Sequence, residues 1–326
     1  MRVSVVIPTQ NRAQKLRRVL DALEAQRNDV SGGTEIVVVD DASTDETPGL
    51  LSERAAASRI VARTSTGQGP GRARNVGVRS ASGELVVFLG DDILPESGFL
   101  AEHDRAHREA SEPLAVLGYT GWDRSRVRVT PLLAHLGERG LQFGYGLITD
   151  PENVPFNFFY ASNVSLPREL FLSHGGFDES FPFPAWEDVE FAWRAMRATR
   201  PLRLVYRPAA RAAHDHPVTV SAFQERQRRS GLAAAVFARK HPASSAFLAV
   251  SEAERTPSRR PVVLSVLAGA VRTLDPAGIP LPGSVYDKVL RWDYLSGLKE
   301  GLSELPPSRE RDGRPGSREA AALHRL

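Results

Sequence analysis

The chain has 326 residues, 41% of them hydrophobic, enough for one large core or two smaller ones. Its formal charge of +3 carries no global field of the kind nucleic-acid binders show, and with no cysteine it has neither a disulfide framework nor a thiolate metal site. The stretch Met1 to Pro8 is too short and too β-branched for a signal peptide, and no apolar run approaches the ~20 residues of a membrane span, so a soluble, cytoplasmic protein is expected.

Val3 to Ile7 reads as a buried strand broken by Pro8-Thr9-Gln10-Asn11. Leu16, Val19, Leu20 and Leu23 then recur at helical spacing, which predicts a helix over 12–26 with a cap near Thr9 or Asn11. A second buried strand, Glu35 to Val39, ends in Asp40-Asp41, and Ser43-Thr44-Asp45-Glu46 is a helix start signal. Arg59 to Arg63 is a short third strand. Gly67-Gln68-Gly69-Pro70-Gly71 leads into a helix carrying Arg72, Arg74 and Asn75 in its first turns. The central stretch follows: Leu85 to Leu89, apolar throughout as in a strand buried on both faces, then Gly90-Asp91-Asp92. Strands alternating with helices at this spacing predict a mostly parallel, doubly wound sheet.

Two strand ends thus carry paired aspartates, with a glycine-rich, arginine-bearing loop between them in sequence. Ligands of open α/β sheets bind at the carboxyl ends of strands. Carboxylates for a base, a ribose and a metal, with an arginine for a diphosphate, make up a nucleotide-sugar site. A dinucleotide fold needs G-x-G-x-x-G directly after the first strand, and the turn here, Pro8 to Arg12, has no glycine.

These segments resemble the inverting glycosyltransferases of family 2, which have the GT-A fold. The residues that carry the resemblance are Val3-Ser4-Val5-Val6-Ile7-Pro8-Thr9-Gln10-Asn11-Arg12, Val37-Val38-Val39-Asp40-Asp41, Gly71-Arg72-Ala73-Arg74-Asn75 and Phe88-Leu89-Gly90-Asp91-Asp92. Ala161-Ser162-Asn163, Gly175-Gly176-Phe177-Asp178-Glu179 and Trp186-Glu187-Asp188-Val189-Glu190 follow in the same order. The resemblance implies a GT-A type (Rossmann-like), mostly parallel sheet flanked by helices. It implies donor binding by Pro8, Thr9 and Asp41 at the base, Arg74 at the diphosphate and Asp91 at the ribose. Asp92 and His214 are implied as ligands of Mn²⁺ or Mg²⁺, Asp188 as the general base on an acceptor hydroxyl, and Trp186 and Glu187 as acceptor contacts. The implied donor is a nucleotide sugar, UDP by default, and the acceptor a glycan, a lipid-linked molecule or a small molecule. Two positions depart from the family: Gln10 stands where an aromatic residue is common, and Gly90 where D-x-D has its first aspartate. Gly90 keeps open a degenerate transferase that only binds a nucleotide or glycan. A nucleotidyltransferase would want a lysine-bearing glycine loop near the first strand, and none is present.

Further along, Glu96 to Ala110 reads as a helix whose His103 and His107 lie on a solvated face, and Leu114 to Thr120 as a strand. Among the aromatics of 139–160, Tyr145, together with Trp122, is expected to be open to a sugar. Asp188 falls in the first turn of a helix, where the dipole favours its ionised form. Leu202 to Tyr206 is a strand; His214 and His216 beyond it are expected to point to opposite sides, His214 towards the site. The arginines between 194 and 239 form either solvated faces or an attraction for anionic headgroups or a phosphorylated acceptor. Val262 to Leu274 is an amphipathic helix that could pack on the body, lie peripherally on a membrane or mediate a homodimer. The expected organisation is a nucleotide-sugar-binding half (1–120), an acceptor-binding and catalytic half (121–245), a C-terminal helical extension (246–305) and a disordered tail (306–326).

Overall fold

The computed structural model describes residues 1–57, 60–67, 69–139 and 142–304; the tail expected at 306–326 lies outside them. The described chain forms two compact units, Met1–Pro217 and Val218 onward.

The first unit is built on an eight-stranded sheet. Its strands are β1 (Val3–Thr9), β2 (Thr34–Asp40), β3 (Ile60–Thr64), β4 (Leu85–Leu89), β5 (Ile93–Pro95), β6 (Ala115–Trp122), β7 (Asn163–Pro167) and β8 (Leu204–His214), in the order β3-β2-β1-β4-β7-β6-β8-β5. The β3-β2-β1-β4 half is parallel throughout; β7 runs antiparallel to both β4 and β6, and β8 pairs parallel to β6. Helices α1 (Ala13–Ala25), α2 (Thr47–Ala57), α3 (Pro70–Ser80), α4 (Phe99–Glu109), α5 (Pro131–Arg139), α6 (Arg168–Ser173) and α7 (Glu187–Ala195) flank it. This is an α/β arrangement of the kind the strand–helix alternation predicts, and it has the sheet flanked by helices that the resemblance implies. Every residue of β1, β2 and β4 is buried, as continuous apolar runs require when helices cover both faces.

Three features depart from the sequence reading. The cap of α1 comes from another loop: Asp45 Oδ2 accepts from the Ala13 amide at 3.3 Å, and Arg12 holds the N-cap position. Strand β8 does not stop at Tyr206 but runs on through Pro208 to His214, with a register shift against β6 at Gly118/Tyr119. A bulge absorbs the irregularity that made the segment look terminated. Strands β5 and β7 are too short and too mixed in composition to stand out in the sequence, yet β5 pairs Ile93 with His214 and so fixes where β8 ends.

Helix α4 also differs from expectation. His103 is fully buried, with Nδ1 2.8 Å from Ser165 Oγ and Nε2 3.0 Å from Asn163 Oδ1, and His107 Nε2 lies 2.8 Å from the same hydroxyl. Burial lowers the pKa of His103 to about 4 and that of His107 to about 3, so both rings are neutral packing groups and not a solvated face. Asn163 extends the network with Nδ2, which donates to the carbonyls of Tyr119 and Ala210, each at 3.1 Å.

The second unit is helical: α8 (Val220–Lys240), α9 (Val250–Arg255), α10 (Val262–Leu274) and α11 (Gly283–Glu304). Helices α8 and α11 approach closely at glycines. A Cβ on Gly231 would lie 2.0 Å from the Tyr294 carbonyl oxygen, and one on Gly297 2.0 Å from that of Arg228. Gln224 donates to Asp293 at 2.9 Å and Arg228 to Glu300 at 2.5 Å across the same contact. Much of the basic run is committed within its own unit: Arg194 to Glu190, Arg207 to Glu152, Arg211 to Glu96 and Arg229 to Glu225. Helix α10 spans the predicted residues; its Ala268 and Val271 are buried, while Val262, Val263 and Val266 are 79%, 70% and 65% exposed. No described helix is long and apolar enough to cross a membrane.

Candidate active site

The carboxyl ends of β1, β2 and β4 converge. Their register places Thr9 beside Asp40 at the end of β1–β2, and β4 ends at Leu89, one residue before Gly90. Thr9 Oγ1 donates to Asp91 Oδ2 at 2.8 Å. Arg12, just past the end of β1, bridges both aspartates through Nη1, 3.0 Å from Asp91 Oδ1 and 2.5 Å from Asp92 Oδ2. Pro8 and Thr9 are buried, whereas Gln10 is exposed and donates to the Asp41 carbonyl at 2.7 Å. Asp41 itself receives the amides of Gly67 at 2.9 Å and Gly69 at 2.8 Å, so it shapes the glycine loop. Asn11 and Ala42 at this rim have φ values of 54° and 64°, left-handed backbone that non-glycine residues seldom adopt.

Asp92 also meets the end of β8. His214 Nε2 lies 3.5 Å and His216 Nδ1 3.2 Å from Asp92 Oδ2, and the Asp215 amide donates to the Asp92 carbonyl at 2.8 Å. Both histidines therefore face the site, which corrects the expectation that they diverge: an offset of two on extended chain returns to the same face. Their rings stack at 5.4 Å, and Trp122 stacks on His214 at 5.4 Å. Tyr145 is buried with its hydroxyl accepting from the Thr120 amide, so it is a structural support and not an open sugar platform, whereas Trp122 is half-buried, its Nε1 donating to the Leu133 carbonyl. Burial alone would raise the pKa of Asp92; the imidazoles of His214 and His216 and the guanidinium of Arg12 outweigh it and hold the carboxyl well below the usual range. Asp91 moves the other way, raised chiefly by burial, with Arg12 opposing and Asp92 adding to the shift.

One carboxylate oxygen and two imidazole nitrogens, all within 4.8 Å of one another, form a donor set that suits a divalent cation. The His216 Nδ1 atom is buried yet makes no well-directed hydrogen bond, as a nitrogen kept for a ligand would.

A second acidic group lies at the start of α7. Trp186, at its N-cap, is left-handed with φ 74°. Asp188 Oδ2 accepts from the Ala161 amide at 3.0 Å and Oδ1 from its neighbour Val189 at 2.9 Å. Arg74, in α3, turns to this group: its Nη1 donates to Glu187 Oε1 at 3.1 Å, while Arg74 Nε and Glu187 Oε2 are buried without a hydrogen-bond partner. The two helices are in close contact here, since a Cβ on Gly71 would come within 3.1 Å of Glu187 Cγ. Burial, reinforced by Asp188 and opposed by Arg74, raises the Glu187 pKa to about 7. Asp188 is raised too, chiefly by burial, so desolvation outweighs the helix dipole that was expected to favour its ionised form. The turn is held in place by aromatic packing: Phe191 of α7 lies 5.0 Å from Phe171 and 5.6 Å from Phe177, and both of those rings contact Phe88 of β4 at 5.1 Å. Asn75 ties in the intervening loop, donating to the Phe177 carbonyl at 2.8 Å and to Glu179 at 2.9 Å, and accepting from the Phe177 amide at 3.0 Å.

Arg12, Asn75 and Asn163, legible in the sequence only as parts of matched motifs, are brought by the fold into these networks, and so is His216, whose i, i+2 relation to His214 is its one signal in the sequence.

The glycosyl transferase family 2 model matches residues 4–162. A validoxylamine A glucosyltransferase of Streptomyces hygroscopicus subsp. jinggangensis is 30% identical over 338 residues, covering 94% of this chain and 73% of the relative. A pre-mycofactocin glycosyltransferase of Mycobacterium tuberculosis is 27% identical over 261 residues, covering 76% of this chain and 50% of the relative. Among solved structures, a mannosyltransferase from Pyrobaculum calidifontis in complex with GDP-Man and Mn²⁺ aligns with a TM-score of 0.60 at 20% identity, covering 93% of this chain and 87% of that one, a likeness of fold. With the motifs in order along the sheet edge, a relative at 30% identity across nearly the whole chain, and this topology, the protein belongs to glycosyl transferase family 2 and has the GT-A fold.

Proposed function

We propose that the protein transfers a sugar from a nucleoside-diphosphate donor, UDP-linked by default, to an acceptor hydroxyl with inversion, and that Asp188 is the general base. The observation that carries this is the Asp188 carboxylate itself. It is fixed by two backbone amides and made more basic by burial, in a turn anchored through Phe191. A carboxylate of raised pKa accepts a proton near neutral pH more readily than an exposed one.

On the donor side, Thr9, Asp41 and the Gly67–Gly69 loop would hold the base and Asp91 the ribose. Asp92 and His214 would hold Mn²⁺ or Mg²⁺, which when bound neutralises charge developing on the departing diphosphate. Glu187, with one buried carboxylate oxygen unpaired, would accept from an acceptor hydroxyl, with Arg74 keeping it oriented. The donor named for one fold neighbour is GDP-Man and the sugar named for one relative is glucose, so the nucleotide and sugar are settled by a donor panel. The exposed valines of α10 would suit a peripheral lipid surface or a second copy of the chain.

The test is transfer from a panel of nucleotide sugars, with and without Mn²⁺, and with the anomeric configuration of the product read by NMR. Inverted product from one donor is expected. Retained configuration, or tight nucleotide binding without any transfer or hydrolysis, would remove the catalytic reading in favour of the binding-only protein that Gly90 leaves open.

A further inference from the structure

We infer that the cation site is a one-carboxylate, two-histidine set made of Asp92, His214 and His216, and that it takes a late first-row divalent ion in preference to Mg²⁺. The inference rests on the donor-site reading above and extends it to a third ligand and to metal selectivity.

The first observation concerns Gly90. A Cβ built there would lie 2.8 Å from Ile93 Cγ1 and 3.2 Å from Asp92 Oδ1. Ile93 is a buried, β-branched strand residue, so it has little freedom to move aside. The site is thus closed to a carboxylate at position 90, and any further protein ligand has to come from another element. The second observation supplies it. The Nε2 of His214 and Nδ1 of His216 lie 3.5 and 3.2 Å from the same oxygen, Asp92 Oδ2. Donors bound about 2.1 Å from one cation stand about 3 to 3.5 Å apart at octahedral or tetrahedral angles, so each imidazole already stands at that distance from the carboxylate, with all three donors within 4.8 Å of one another. The third is that this Nδ1 of His216 is buried and, although it stands beside Asp92, makes no well-directed hydrogen bond.

The rings are held in place before any ion arrives. Trp122, His214 and His216 form a continuous stack, with interplanar angles of 16° and 8°. The Gln142 amide lies 3.3 Å from His214 Nδ1; turned to accept from an Nδ1–H, it leaves the Nε2 lone pair facing Asp92. Arg12 donates to the same Asp92 oxygen but has a second partner in Asp91 Oδ1 at 3.0 Å, so it keeps an ion pair when Oδ2 turns to a cation.

Selectivity follows from the donor atoms. Mg²⁺ prefers an all-oxygen octahedron, and two imidazoles in place of a second carboxylate remove both oxygen and charge. Affinity at imidazole sites rises across the first row from Mn²⁺ through Co²⁺ to Ni²⁺.

The experiment uses the full chain and metal alone. Calorimetric titration with Mg²⁺, Mn²⁺ and Co²⁺ should rank them in that rising order, with Co²⁺ bound at least about tenfold more tightly than Mg²⁺. Electron spin-echo modulation of bound Mn²⁺ should show two ¹⁴N ligands in the wild type and one in His216→Gln, with near-UV circular dichroism confirming that the variant is folded. Equal affinity for Mg²⁺ and Co²⁺, one nitrogen in the wild type, or an unchanged nitrogen count in His216→Gln would each overturn the inference. Transfer that proceeds undiminished after chelation would overturn it too while leaving the transferase reading intact. Two nitrogens with no transfer from any donor would uphold the metal set and remove the transferase reading.

Discussion

Two acidic pairs, Asp91-Asp92 and Glu187-Asp188, are built from the same chemistry, yet Asp92 of the first and Glu187 of the second are pushed in opposite directions. The first ends a strand and is surrounded by cationic and imidazole groups, Arg12, His214 and His216, which hold Asp92 well below the usual range. The second opens a helix with one arginine, Arg74, against two carboxyls; burial wins, and Glu187 rises to about 7. Neighbours therefore decide what a carboxylate can do. A low-pKa group suits a standing charge, as a cation ligand needs, and a raised one suits proton transfer.

The largest effect that would sharpen this contrast is on turnover. Asp188→Asn keeps shape and removes basicity, so kcat should fall by about 10²–10⁴ while nucleotide affinity is unchanged. Steady-state kinetics and nucleotide titration of the same variant decide it; a loss of nucleotide affinity with kcat preserved would move Asp188 to the donor site or the scaffold.

At the other pair, Asp92→Asn should abolish the metal dependence of nucleotide binding. Arg12 keeps Asp91 as a partner, so the fold should survive. Nucleotide titrations with and without Mn²⁺ test this, and an undiminished response to Mn²⁺ would break the assignment of standing charge to Asp92.

The pairs should also differ in pH dependence. The Glu187 pKa is about 7 in the folded chain against an ordinary 4.5, so the folded state holds this proton more firmly than the unfolded one. The stability this contributes is full below about pH 4.5 and is lost as pH rises through about 7. Asp92, depressed, contributes stability at neutral pH that is lost only on acidification below the ordinary aspartate range. Melting curves of the wild type and Glu187→Gln should nearly coincide at about pH 5 and separate, with the variant more stable, by about pH 8. Parallel curves across that range would show that Glu187 is not held protonated.

The smallest effect concerns backbone strain beside the second pair. Trp186 holds φ 74°, a conformation that costs a non-glycine residue on the order of 1 kcal/mol. Trp186→Gly should relieve that cost while removing the indole, so acceptor KM should rise with the melting temperature little changed. A large drop in melting temperature would mean that the indole is chiefly a packing group.

Continuous apolar runs made β1, β2 and β4 legible because a strand buried on both faces has to be apolar throughout, and the aspartates that stop two of those runs marked the sheet edge where a ligand binds. Periodicity likewise located α1 and α10, whose amphipathic faces repeat at the helical period. Contacts between distant segments left no such trace. The extension of β8 to His214 depends on a bulge at Gly118/Tyr119 and on pairing with the three-residue β5. The burial of His103 depends on Ser165 and Asn163 in another strand, and the turn of Arg74 towards Glu187 on the packing of α3 against α7. Local pattern records which face of an element is apolar, because burial acts on each residue where it stands; partner and protonation state are set by groups as far apart in the chain as Arg74 from Glu187 or Asp92 from His216, and only the folded packing brings them close to each other.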